Sequence, residues 1–184
     1  MKFKRFSTLF CFTLIMLLMM ACNSNTMEDV MREVESTDLS NESIDGIKVG
    51  MSINDKSFIA KNGNFELYPD NEHYATRRNY DQYWNQDFIM GVDRETKEIL
   101  QVGVLEENKT SSSAMGIKIG AFIDEVKVLY GENYYNFEDK DQGIYIIGYI
   151  DHQNNVNLSF VHIDNKVIGM SIGYAFDRME WVQE

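Results

Sequence analysis

Apolar and polar residues alternate with period two over much of the second half of the chain. Gly143–Asp151 (GIYIIGYID), Val156–Ile163 (VNLSFVHI) and Lys166–Phe176 (KVIGMSIGYAF) each read as a strand. The short polar connections HQNN and DN between them predict an antiparallel meander. In the last strand Ile168, Met170, Ile172, Tyr174 and Phe176 form a bulky face, whereas Val167, Gly169, Ser171, Gly173 and Ala175 form a nearly bare one. The first half repeats the pattern with Phe88–Val92, a charged turn, and Ile99–Leu105, where Leu100, Val102 and Val104 correspond to Ile168, Met170 and Ile172.

Helical spacing precedes each group of strands. Phe122, Ile123, Val126, Leu129 and Tyr130 mark one apolar face, and Gly131 stops it. Earlier, Ser52 with Asp55 three residues on predicts a cap for a helix reaching about Lys61 and closed by Asn62-Gly63. A third fragment places Met27, Val30, Met31 and Val34 on one face, with Thr26 and Asp29 spaced as a capping box. The phrase leading into the first two helices is itself repeated: Gly46, Ile47, Lys48 and Gly50 recur as Gly116, Ile117, Lys118 and Gly120.

The pattern therefore predicts an α+β protein of two tandem helix-plus-antiparallel-sheet units, residues 46–105 and 115–176, joined by a polar linker at 106–114 and ending in a tail at 177–184. The "IKVGMS" and "IKIGAFIDEVKVLYG" segments resemble the "GMT-x-x-x-V-x-x-x-x-G" opening of the β-lactamase inhibitory protein and BamE-like (SmpA/OmlA) families. The inhibitory protein is a tandem of two such units whose sheet surface grips a protein partner. The resemblance implies the same fold and a protein-binding role for this chain.

The N-terminus reads as an export signal. Lys2, Lys4 and Arg5 precede an apolar run from Leu9 to Met20, too short to span a bilayer comfortably. The run ends in "LMMAC", which resembles a bacterial lipobox, with Ala21 before Cys22. Residues 1–21 then form a lipoprotein signal peptide and Cys22 the lipid attachment point. Residues 22–45, polar and acidic, read as a tether of roughly 25–30 Å as a flexible coil. The expected location is the outer face of a Gram-positive cell membrane.

Charge narrows the partners. Losing residues 1–21 removes three positive charges and no acids, which takes the formal charge from −12 to −15. Such a surface repels nucleic acid, so no nucleic-acid role is expected, and it favours neutral or basic partners. Cys11 departs with the signal and Cys22 carries lipid, so no thiol remains for a disulfide, a metal or a nucleophile.

Catalytic chemistry finds little support. No nucleophile-elbow, phosphate-loop or HExxH pattern occurs. Asp139–Gly143 (DKDQG) hints at a calcium loop, but Lys140 falls on a ligand position. His73 and His162 stand apart from other ligand types. Only Asp151 with His152 offers a base and its orienting carboxylate, the basis of an alternative reading as an envelope hydrolase or cell-wall ligand-binding enzyme. No cofactor, metal or catalytic group is expected otherwise.

Aromatic residues are the stronger lead. Tyr134, Tyr135, Tyr145 and Tyr149 are the candidate partner-binding residues, and Tyr80, Tyr83 and Trp84 cluster in the first unit. Tyr145 and Tyr149 share one face of a strand, so core filling and partner contact are both open for them. If that face is the bare side of Gly169, Ser171 and Gly173, the glycines leave room for a ligand. The leading expectation is a non-catalytic, membrane-anchored module that binds an envelope or secreted protein.

Overall fold

The repeated phrase builds the same corner twice. In a computed structural model, which describes residues 26–105, 107–139 and 143–180, Gly46 and Gly116 turn at φ +79° and +92°, and Gly50 and Gly120 at +85° and +95°. These are left-handed values that glycine adopts without a Cβ clash. Each corner then latches onto the start of its half's last strand. Gly50 N donates to Ile99 O and Gly120 N to Val167 O, at 2.9 and 2.7 Å, and the return bonds run from Ile99 N to Met51 O and from Val167 N to Ala121 O.

Four helices and eight strands are formed among the described residues: α1 (Met27–Glu33), α2 (Lys56–Asn62), β1 (Glu66–Leu67), α3 (Asn71–Tyr74), β2 (Tyr80–Trp84), β3 (Phe88–Asp93), β4 (Ile99–Val104), α4 (Ile123–Tyr130), β5 (Tyr135–Asp139), β6 (Ile144–Asp151), β7 (Val156–Ile163) and β8 (Lys166–Tyr174). Asp55 caps α2 by accepting from Ser57 N and Phe58 N, the capping role that the spacing assigns jointly to Ser52 and Asp55. Phe122 precedes α4 and brings no acceptor, but Glu125 accepts from Phe122 N at 2.9 Å, which is half of a capping box.

The architecture corrects the expectation of two helix-plus-sheet units. All eight strands form one antiparallel sheet in the order β1-β2-β3-β4-β8-β7-β6-β5, and the helices are few and short. The cause is the pairing of β4 with β8. Each would otherwise be an open edge with unpaired N–H and C=O groups, and together they remove both edges. Val102 faces Ile172, flanked by Gln101↔Gly173 on one side and Gly103↔Ser171 on the other. Val102 and Ile172 lie seventy residues apart, the offset of Gly46 from Gly116, so the join sits on a pseudo-two-fold axis.

One core follows from one sheet. Phe58 of α2 and Ile123, Val126 and Tyr130 of α4 bury against Met90, Val102, Leu158, Phe160 and Ile172 on the same sheet face, in a single cluster. The segment at 107–114 is part of this body. Asn108, Ser111 and Ser113 are buried, and Asp45 N donates to Ser112 O while Ser112 N donates to the Asp45 carboxylate.

Residues 26–45 also pack onto the sheet. The helix α1 buries Met31 against Tyr135 and Ile150 on the opposite sheet face, and Met27, Val30, Phe137, Ile146 and Phe176 join that cluster. Beyond α1, Thr37 N donates to Ile150 O, Leu39 N to Asp151 Oδ2, and Leu39 and Ile44 are buried. The far end of the chain is fastened as well: Arg178 pairs with Glu98 at 2.8 Å, and Glu180 and Asn79 exchange hydrogen bonds. The signal segment, Cys22, and the centre of the DKDQG loop lie outside the described residues.

Two bulges, at Gly91/Val92 and at Val161/His162, adjust the strand phase. Between Val161 and His162 the register with β8 shifts, so Val167 enters the core at 1% exposure while Ile168 is left half-buried. The bulky face expected for the last strand therefore holds for Met170 and Ile172, and it fails at Ile168. Phe176 lies past the end of β8 and packs with α1 on the other side.

Candidate functional site

The four candidate tyrosines lie on two faces of the sheet and do not form one surface. Tyr149 is fully buried on the helix side, opposite Leu158, with its ring 5.2 Å from Tyr130 and its hydroxyl donating to Gly131 O at 3.1 Å. Burial raises its pKa, and the hydroxyl stays protonated at neutral pH. Tyr134 is half-buried beside it, edge-on at 6.2 Å, with the Lys127 ammonium 4.7 Å from its ring centroid. Tyr145 is 45% exposed at the end of β6 and stacks on His162 at 5.6 Å. Burial, then the nearby Lys127 charge, lowers the His162 pKa, so its ring is neutral at pH 7.

Tyr135 occupies the opposite face. It lies flat over Gly148, where an added Cβ would come within 2.4 Å of its ring, and its hydroxyl donates to Asn157 Oδ1 at 3.0 Å. Tyr145 and Tyr149 are thus on the covered face, away from Gly169, Ser171 and Gly173. This removes the arrangement in which those glycines would open space beside the two tyrosines.

The face turned away from α2 and α4 carries the better candidate. Across three adjacent strands of this face, β7, β8 and β4, run two rows set by the register, Asn157–Gly173–Gln101 and Ser159–Ser171–Gly103. Their side chains are small or polar, and the Ser159 and Ser171 hydroxyls share a hydrogen bond at 2.9 Å. Part of the space above the glycines is filled from within. Gln101 leans over Gly173, where a Cβ would lie 3.1 Å from its Cγ, and Met179 covers Gly91. Above Gly103 and Gly169 the neighbours, Ile89 and Val161, stand at ordinary contact distance. On one flank α1 covers β5 and β6, and on the other lie Tyr80, Met179 and Trp84. The helices α1, α2 and α4 do not cover this strip, on which Gln101, Gly103, Asn157 and Ser171 are half-buried and Ser159 and Gly173 buried.

Sequence reasoning missed the far flank. Residues 71–87 look unpatterned, yet α3 and β2 form there. Asn71 organises them by accepting from Gln82 N and Arg78 Nη2, both at 2.7 Å, and donating to Asp81. Tyr80, Gln82 and Trp84 share one face of β2 and Asp81 and Tyr83 the other, and because each face mixes polar and aromatic residues no period-two signal marks the strand.

Asp151 and His152 do not converge. The Asp151 carboxylate is buried at 2% exposure and accepts from Leu39 N, Asn154 N and Asn154 Nδ2. Burial pushes its pKa up, but these hydrogen bonds outweigh burial and hold it below the usual carboxylate range. The exposed His152 ring hydrogen-bonds Val34 O at 2.9 Å and stacks on Phe176. Both residues fasten the N-terminal segment to the sheet.

Two other features complete the surface. A cleft of about 400 Å³ beside α2 is lined by Gly46, Met51, Asp55, Phe58 and Lys61. Asp55 is engaged as the helix cap and Lys61 Nζ donates to Asp45 O at 2.8 Å, so the cleft's charged groups are already partnered. At one end of the sheet Phe122, Tyr145 and Ile163 are 52%, 45% and 42% exposed, with the Lys166 ammonium 5.3 Å from the Phe122 ring centroid. No group of three or more potential metal ligands occurs among the described residues. No protein-family model, curated protein or solved structure matches the chain.

Proposed function

We propose that this protein is a lipid-anchored extracytoplasmic module that binds another protein on the open strip of its sheet. The observation that carries the reading is the contrast between the two faces. One face is sealed by α2, α4 and a dense apolar core. The other presents two cross-strand rows of small and polar residues, Asn157–Gly173–Gln101 and Ser159–Ser171–Gly103, between α1 on one side and the half-buried Trp84 on the other. Small side chains over a rigid sheet let a partner's chain approach closely, and the half-buried Trp84 at one flank adds aromatic contact area at low entropic cost. The formal charge of −15 after signal removal favours a neutral or basic partner and predicts association that slows with added salt. Anchoring at Cys22 rests on the lipobox-like end of the apolar leader, and it sets the outer membrane face as the place of action. With no solved structure matching, this reading stands on the geometry and not on the resemblance of the repeated phrase.

Site-specific photo-crosslinking tests it. A benzophenone side chain placed at Ser171 in cells should yield a discrete protein adduct that is absent when the same group replaces Gln153, an exposed turn residue at the edge of the fold. Ser171→Trp in the wild-type background should reduce recovery of that same adduct partner while leaving the unfolding transition unchanged. Equal crosslinking from both positions would sink the proposed strip.

A further inference from the structure

We infer that the sheet end carrying Phe122, Tyr145 and Ile163 rests on the membrane that holds the lipid anchor. The inference rests on the proposed acylation of Cys22 and adds an orientation to it. Its starting point is how little chain separates the anchor from the folded body. Thr26 is already the N-cap of α1, its side chain accepting from Asp29 N, and α1 is packed against the sheet. Only Asn23, Ser24 and Asn25 lie between Cys22 and Thr26. At ~3.3–3.6 Å per residue, the four steps from Cys22 to Thr26 reach no further than about 14 Å. From residue 26 on, the segment that would have raised the body clear of the bilayer is thus consumed in packing.

The direction of α1 selects the end of the sheet. Its C-terminal end is held at the Asp151 end of β6, through the His152 ring on Val34 O, His152 N on Ser36 Oγ and Thr37 N on Ile150 O. From there α1 packs over β5, and Met27 and Val30 join a cluster that extends along the strands from Ile150 to Phe137 and Ile146. The first turn of α1 therefore points toward the other end of β6, where Tyr145 pairs with His162 and Ile163 with Lys166, and where Phe122 bridges to Lys166. That end holds three large apolar side chains exposed by 42–52%; other exposed apolar residues, such as Val128 and Leu129 on α4 and Leu67 on β1, lie elsewhere on the fold.

The chemistry suits a bilayer interface. Tyr145 has an apolar ring and a polar tip, and Lys166 holds its ammonium over the Phe122 ring, a cation beside exposed apolar surface as at headgroup level. Asp124, Glu125, Glu138 and Asp164 surround the patch, so attraction to anionic lipid is not the driving force. Apolar burial beside a covalent anchor is. The open strip then faces sideways, above the membrane and free for a partner.

The test uses the lipidated full-length protein in phosphatidylcholine vesicles. After processing, no free thiol remains in the chain, so Ile163→Cys, Phe122→Cys and Gln153→Cys each take one environment-sensitive fluorophore. Gln153 lies at the far end of β6, about 25 Å away at ~3.3 Å per residue. Labels at 163 and 122 should emit further to the blue and be quenched by a lipid-borne quencher, while the label at 153 stays water-like. Mass spectrometry of the same samples reports whether Cys22 carries lipid. Water-like emission at all three positions on acylated protein overturns the orientation and leaves the anchor standing. An unacylated Cys22 overturns both.

Discussion

Replacing Tyr149 separates a core residue from a contact residue at the position where sequence alone left both open. The side chain is fully buried between Tyr130, Tyr134 and Leu158, and its hydroxyl donates to the carbonyl of Gly131, the residue that stops α4. A buried tyrosine removes about 150–250 Å² from water. At ~25 cal/mol per Å² that area is worth roughly 4–6 kcal/mol, an upper bound because the unfolded chain is already partly collapsed. Truncations of large aromatics in cores cost about 3–5 kcal/mol, which agrees. Tyr149→Ala is therefore expected to lose about that much, and Tyr149→Phe about 1 kcal/mol for the hydrogen bond to Gly131. Tyr145→Ala, at a half-exposed site, should lose less than about 1 kcal/mol. Urea unfolding followed by far-ultraviolet circular dichroism reads these values directly. With a slope of about 2 kcal/mol per molar, Tyr149→Ala moves the midpoint down by roughly 1.5–2.5 M. If Tyr149→Ala shifted the midpoint no more than Tyr145→Ala, the placement of Tyr149 in the core would be wrong. Loss of partner binding in Tyr149→Ala would report unfolding, so binding tests belong at Ser171.

Three further outcomes follow from the same packing. Asp151→Asn removes the charge that holds Leu39 N and Asn154, at a cost of about 1.5–3 kcal/mol at pH 7. Because the folded pKa is depressed, this stability is present above the unfolded value near 3.9 and fades as pH falls through the folded pKa; the gap between wild type and Asp151→Asn in urea midpoint should therefore close below about pH 4 and persist at pH 7. Gly148→Ala drives a methyl into the Tyr135 ring and should destabilise by about 1–3 kcal/mol, with faster amide hydrogen exchange in α1, which packs on that ring; unaltered exchange in α1 would contradict its docking there. Unfolding of the whole chain should show one transition with coincident near- and far-ultraviolet signals, and two separated steps would argue for independent halves.

The parts of the fold that were legible are those written in local order. The strands at 144–151, 156–163 and 166–174 follow from alternation and short polar turns, and the helix stops at Gly63 and Gly131 from glycine after an apolar face. The join of β4 to β8 was not legible, because nothing in Gln101–Gly103 distinguishes a strand edge that will pair with Ser171–Gly173 from one that will face water. The docking of residues 34–45 was hidden for a different reason. Its polar residues are buried by partners far away in sequence: Glu42 accepts from Ala114 N and from the Tyr130 hydroxyl, whose oxygen accepts in turn from the Ser113 hydroxyl. Composition marks such a segment as solvated, and only the hydrogen bonds make its burial affordable. The candidate strip fell between these cases. Gly169, Ser171 and Gly173 were visible as a bare side, but their alignment with Ser159, Asn157, Gln101 and Gly103 required the register.

The pseudo-two-fold axis explains why the strip lies where it does. A lone unit ending in β4 or β8 would present an open edge and cover one sheet face with a single short helix, α2 or α4, too short to be stable without packing. Joining the two last strands solves both problems, since the edges satisfy each other and the helices share one core. The same operation brings the two halves' sparsest strand positions side by side on the reverse face, because Gln101 and Ser171 are symmetry equivalents, as are Gly103 and Gly173. Large residues there would add nothing to the main core under α2 and α4, and the smaller cluster on the reverse face lies under α1, over β5 and β6. The strip is thus centred on the β4–β8 join, and a substitution on either strand of it, at Gly103 or at Ser171, is expected to weaken the proposed partner binding.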